Sequence, residues 1–234
     1  MTKKTLYICG DSFCSLDPEY GDNWPALIAN KCTHLEIVNL STFGASNYLI
    51  YLQVNQALKN KCDYLIYHAT SSIRQEFVIN RDNAVRDHVG RYWNQTNPDK
   101  NKSMASVSWL NPHKNASNFY NNKKIAAINN FFTDFIDLTV LVEKNYIFID
   151  YTLQLIAKNN NLKNWAWSLG GFEHTKFKSN NTWDFSEYSN YQCPINLWDN
   201  FDRDLVRPYY HITDKNLLQK TCDYYIHMLN LNNV

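Results

Sequence analysis

The chain has 234 residues, a formal net charge of +1, and 44% hydrophobic against 19% charged residues. That balance excludes a disordered chain and offers no field to gather a polyanion, so no nucleic-acid partner is expected. No run approaches the roughly 20 apolar residues that a membrane-spanning helix needs. The first residues pass into an apolar segment with no signal-peptide pattern, so a cytoplasmic setting without a membrane partner is expected.

Thr5–Cys9 reads as a buried strand that stops abruptly at Gly10-Asp11-Ser12. A short helix follows over 23–32, with Asn23 as its cap and Pro25 in its first turn. Residues 35–40 form a second strand, 41–47 a polar turn, and a helix continues to about residue 60. Residues 63–69 form a third strand. Strand, loop and helix in alternation predict a parallel sheet covered on both faces. Residues 74–120 break the rhythm with little periodicity and read as an insertion or lid. They hold seven Lys/Arg against four Asp/Glu, with Trp93 and Trp109 among them. That excess is too small to favour a glycan or nucleic-acid surface over a solvated lid. Residues 121–160 lack Gly and Pro and carry apolar residues at helical spacing, as one long helix or two in succession. A fourth strand is expected over 162–168, ended by Gly170-Gly171, then an aromatic-rich loop to about residue 210. The last helix runs over about 214–230, with Thr213 as its cap and Leu217, Leu218, Thr221, Tyr225 and Met228 inward. The chain reads as a single α/β domain over 1–234. Its six scattered cysteines, with no C-x-x-C, read as free buried thiols, and no metal or cofactor is expected.

In parallel sheets ligands bind outside the C-terminal ends of the strands. Gly10–Ser12, Ser41–Asn47 and Thr70–Ser72 all fall there. A serine hydroxyl needs a base to take its proton, most often a histidine, and a tetrahedral oxyanion needs preorganised donors. Of the seven histidines, His68 lies within the third strand and reads as buried structure. His211, in Arg207-Pro208-Tyr209-Tyr210-His211, precedes the last helix and returns to the sheet edge, so it is the favoured base.

Gly10-Asp11-Ser12-Phe13 resembles the first block of the SGNH (GDSL-like) hydrolases. Gly21–Ala29 is similar to the segment that follows that block, Val38–Asn47 to the second block, and His211 with the terminal helix to the last. Ser71–Phe77 resembles divergent members, some of them from phages, which would imply a virion-associated setting. The resemblance implies a flavodoxin-like three-layer α/β/α sandwich and hydrolysis of ester or related acyl bonds through an acyl-enzyme. It implies Ser12 as nucleophile and oxyanion donor, Gly44 as a second backbone donor, and His211 as general base. Two positions depart from the pattern. The third block has Ala69-Thr70-Ser71-Ser72 where the family carries an asparagine, leaving Ser71, Thr70 or Asn47 to donate. The position three residues before His211 is Pro208, leaving Asp204, Asp202 or a backbone carbonyl to orient the imidazole.

Each residue also has a plainer reading. Ser12 can serve as a turn residue, Gly44 can be needed only for positive φ, and Asp11 orders its loop. Arg74 either pairs with Glu76 or contacts substrate. Two functions stand: a serine hydrolase acting on a small-molecule or glycan ester, and a binding or structural module that kept the fold and lost catalysis. Phosphate or nucleotide chemistry lacks a G-x-x-x-x-G-K-[ST] loop and clustered carboxylates.

Overall fold

Thr5–Cys9 (β1) is the centre of the architecture in the computed structural model, which describes residues 3–14, 23–42, 44–80, 102–108, 122–170, 183–195 and 214–233. β1 pairs in parallel with Glu36–Asn39 (β2) on one side and Tyr64–Ala69 (β3) on the other. Arg74–Asn80 (β4) and Lys102–Ser108 (β5) form a separate antiparallel pair, and Asn164–Leu169 (β6) pairs in parallel with β3. The main sheet is thus four-stranded and all-parallel, in the order β2-β1-β3-β6.

The strands alternate between two cores, as the period of two requires. Tyr7, Cys9, Leu65, Tyr67, Trp165 and Trp167 join one cluster; Leu6, Ile8, Tyr64, Ile66 and Ala166 join the other. Helices cover both faces. Asn47–Lys59 (α2), Asn122–Asp134 (α3) and Leu138–Ala157 (α4) supply the first core; Trp24–Lys31 (α1) and Lys215–Met228 (α5) supply the second. Such layering is compatible with a three-layer α/β/α fold. Leu6 and Ile8 are fully buried, each contributing about 1.5–3 kcal/mol relative to exposure. No described helix is long and apolar enough to cross a membrane.

Helix starts follow local capping chemistry. The Asn23 side chain accepts from Trp24 N, the Ser46 hydroxyl from Leu49 N, and Asp137 from Thr139 N and Val140 N. The Asp137 cap resolves the 121–160 alternative into two helices. The last helix is capped by Asp214, which accepts from Asn216 N and Leu217 N, in place of the expected Thr213, which lies outside the described residues. Its inner face also carries Cys222 and Ile226, with Leu217 and Met228 only partly covered.

Within the region 74–120, the described residues form a pair of strands. β4 and β5 pair over seven positions, from Arg74↔Ser108 to Asn80↔Lys102. Serines and charges interrupt both strands, so their sequences show no clean alternation; cross-strand hydrogen bonds supply the order that pattern lacks. Phe77 anchors β4 between Phe131 and Phe132 of α3, with ring centroids at 5.7 and 6.0 Å. Lys144 of α4 reaches Glu76 at 2.6 Å.

Candidate active site

In a doubly wound sheet the crevice opens where consecutive connections leave a strand in opposite directions. Here β1 is followed by β2 on one side and then by β3 on the other, so the switch lies between β1 and β3. Three loops meet at that edge, and buried polar groups stitch them together. Thr42 N donates to Gly10 O at 3.2 Å. Gln53 of α2 accepts from Gly10 N at 2.8 Å through Oε1 and donates to Thr42 Oγ1 at 3.2 Å through Nε2. Thr70 Oγ1 donates to Asp11 Oδ2 at 2.5 Å.

Ser12 heads a 3₁₀ turn, Ser12–Cys14, and is partly exposed between the buried Asp11 and Phe13. Its neighbours are held from several directions. Phe13 N donates to Asp11 Oδ1 at 3.0 Å and Cys14 N to Asp11 O at 3.1 Å. Phe13 O accepts from Asn23 Nδ2 at 2.9 Å and Trp24 Nε1 at 3.0 Å, and Cys14 O from Asn39 Nδ2 at 2.6 Å. Among the described residues neither the hydroxyl nor the N–H of Ser12 has a hydrogen-bond partner. Gly10 is required by close approach: a Cβ there would sit 2.7 Å from Cys14 Sγ and 3.0 Å from His68 Cβ.

Beneath the loop, Asp11, Cys14 and His68 are all buried, with ligating atoms within 4.8 Å of one another. His68 Nδ1 is 3.7 Å from Asp11 Oδ1 and lacks a hydrogen-bond partner. Burial pushes the His68 pKa down, opposed by the Asp11 charge. Burial, with Asp11 and Cys9 close by, pushes the Cys14 thiol well up. The donor types suit a transition ion. Both Asp11 oxygens, however, already accept hydrogen bonds from the chain. The trio therefore serves as packed support for Ser12, in keeping with Asp11 as a loop-ordering residue and His68 as buried structure.

The second and third loops correct several expectations. Gly44 has φ +65°, the left-handed region that favours glycine. Asn47 is fully buried, and its amide is consumed by structure: Nδ2 donates to Thr70 O at 3.1 Å and Oδ1 accepts from Thr70 N at 2.9 Å. It is a clamp on the loop after β3, and no donor is left to reach toward an oxyanion. Ser71 is buried at 2% exposure, and its Oγ accepts from Ile73 N at 3.4 Å. Arg74 does not pair with Glu76. Its Nη1 donates to Gly44 O at 3.1 Å, while Glu76 pairs with Lys144.

Sequence reading overlooked Gln53 and Asn145. Asn145 sits on the inward stripe of α4, donates to Leu141 O at 2.9 Å and Arg74 O at 3.2 Å, and accepts from Asn47 Nδ2 at 3.3 Å. A polar residue on an apolar helix stripe is the signal that marks both. Among the other histidines, His34 contacts Leu231 O at 2.9 Å and His227 is exposed on α5. The expected base His211 and the candidate acids Asp204 and Asp202 lie outside the described residues. All six cysteines are buried and free. Compared with known proteins, the chain matches no family model and no curated protein.

Proposed function

We infer that the protein is a serine-dependent ester hydrolase of SGNH type. Ser12 would act as nucleophile through an acyl-enzyme, His211 as general base, and Asp204 as the group that orients the imidazole. A small-molecule or glycan ester is the substrate class. The observation that carries the reading is Ser12 itself. It is partly exposed at the switch point of a parallel sheet and its N–H and hydroxyl are unengaged by the described residues, while the carbonyls and amides of Phe13 and Cys14 are tied down. A turn serine that merely satisfied the backbone would spend its hydroxyl on that backbone. Preorganised donors with no ground-state partner are what an oxyanion requires. Ser12 N–H would supply one such donor, and the backbone of Gly44, in the neighbouring loop, is the second position that the SGNH resemblance implies.

A second reading, a binding module that kept the fold without catalysis, is favoured by one specific observation. The loop after β3 is closed over Asn47 and buries Ser71 and Ser72, so it offers no exposed side-chain donor. One missing donor costs about 2.7–4 kcal/mol of transition-state stabilisation.

A fluorophosphonate probe separates the two. Labelling of the wild-type protein that disappears in both Ser12→Ala and His211→Ala is the expected result. A folded wild-type protein that takes no label, or that labels equally in Ser12→Ala, refutes the hydrolase.

A further inference from the structure

Arginine stays charged at every accessible pH, and a covered guanidinium is ordinarily met by a carboxylate. Arg74 is partly buried and has no such partner among the described residues. The nearest acid along its strand, Glu76, is neutralised by Lys144 at 2.6 Å. The single hydrogen bond of the guanidinium runs from Nη1 to the neutral carbonyl of Gly44, and the buried Nε has no acceptor. An unmet donor on a cation is among the costlier features a fold can retain.

Its location gives that feature a use. Arg74 begins β4 directly after the loop that closes β3, and it reaches across to Gly44 in the loop after β2. The latter loop is bonded to Gly10 through Thr42, two residues before Ser12. The guanidinium therefore bridges the second and third loops at the sheet edge where Ser12 lies. With Nη1 spent on Gly44, the Nε–Nη2 edge has no acceptor among the described residues, and a carboxylate seated there would enter the covered space around Nε. That edge is the fork that holds a carboxylate by two parallel hydrogen bonds. Gly44 also lies two residues before Ser46, the cap of α2, whose N-terminal dipole adds to the positive potential there.

We propose that Arg74 recognises a carboxylate on the substrate, so that the ester cleaved at Ser12 is anionic. This rests on the hydrolase reading above for the cleavage, but not for the binding. A purely structural clamp on Gly44 needs only a neutral donor, whereas Arg74 brings a charge that no carboxylate meets among the described residues.

The test compares matched ester pairs that differ in one charge: p-nitrophenyl hemisuccinate against p-nitrophenyl valerate on the acyl side, and p-acetoxybenzoate against its methyl ester on the alcohol side. The wild-type protein should favour the anionic member of at least one pair by roughly ten- to hundredfold in kcat/KM, the span of a charge-assisted hydrogen bond. Arg74→Gln should abolish that ratio. Arg74→Lys, which keeps the charge without the fork, should retain part of it and guards against a variant that simply folds poorly. Turnover with no preference for charge, or a preference that survives in Arg74→Gln, overturns the proposal and leaves the hydrolase standing. In parallel, calorimetry follows binding of monomethyl succinate and p-acetoxybenzoate to Ser12→Ala. If no ester is cleaved but one of these binds and is lost with Arg74, the hydrolase fails and the anion site stands. If nothing is cleaved and nothing binds, both fail.

Discussion

Thr70→Val probes the bond that ties the first loop to the third. Valine matches threonine in shape and lacks only the hydroxyl. In the wild type that hydroxyl donates to Asp11 Oδ2 at 2.5 Å, and both residues are fully buried. Asp11 Oδ1 is occupied by Phe13 N at 3.0 Å, so the variant leaves Oδ2 in a dry site with His68 Nδ1 as a poor substitute 3.7 Å from the other oxygen. A hydrogen bond onto a carboxylate contributes about 1.5–3 kcal/mol. At about 2–4 °C per kcal/mol for a chain of this size, Tm should fall by about 3–12 °C. Urea unfolding should show a lower midpoint with an unchanged slope, since the surface exposed on unfolding is the same. Combined with Asp11→Asn, the two losses should fall short of additivity by about 0.5–3 kcal/mol. Additive losses, or a Thr70→Val cost under about 0.5 kcal/mol, would refute the claim that this pair joins the loops.

Three further outcomes are expected. Burial holds the folded pKa of His68 below its unfolded value of about 6.5. The unfolded chain therefore takes up the proton first as pH falls, and stability present above about pH 6.5 declines below it, by at most about 1.4 kcal/mol per pH unit. Urea midpoints between pH 7.5 and 5 should show this fall, and His68→Leu should flatten it; an unaltered pH profile would count against it. Gly44→Ala places a side chain at φ +65° where the nearest atom, Arg74 Nη1, is 3.5 Å away in ordinary contact. The cost is then backbone strain alone, about 1–2 kcal/mol by chemical denaturation, and a neutral result would remove the conformational argument for this glycine. Burial pushes the thiols of Cys193 and Cys222 up to about 11 and that of Cys62 to about 12. Ellman's reagent should therefore titrate almost none of the six cysteines in the native protein and all six in denaturant; rapid native reaction of even one would contradict its burial.

The turn that presents Ser12 was legible because an apolar run ending in Gly-Asp-Ser sets a strand against a polar turn within a few residues. The roles of Asn47 and Arg74 were not legible. Asn47 carries the same amide whether it faces a crevice or a backbone, and only the proximity of Thr70, 23 residues away, turns it into a clamp. Arg74 and Glu76 share a strand face and look like partners in one dimension, yet Lys144, 68 residues beyond Glu76, takes the carboxylate and leaves the guanidinium to Gly44.

By itself the sequence determined the parallel sheet, the Asn23 cap of α1, the helix after the second polar loop, and the three polar loops at one edge, because period-two burial, cap chemistry and alternation of strand and helix are properties of near neighbours. The β4–β5 pairing, the split core beneath α2 and α4, the Asp11–Thr70 link and the bond from Arg74 to Gly44 were decided only by tertiary structure. Each depends on contacts between residues far apart in the chain, and a hydrogen bond or ion pair is chosen by distance and burial, which spacing along the sequence does not encode.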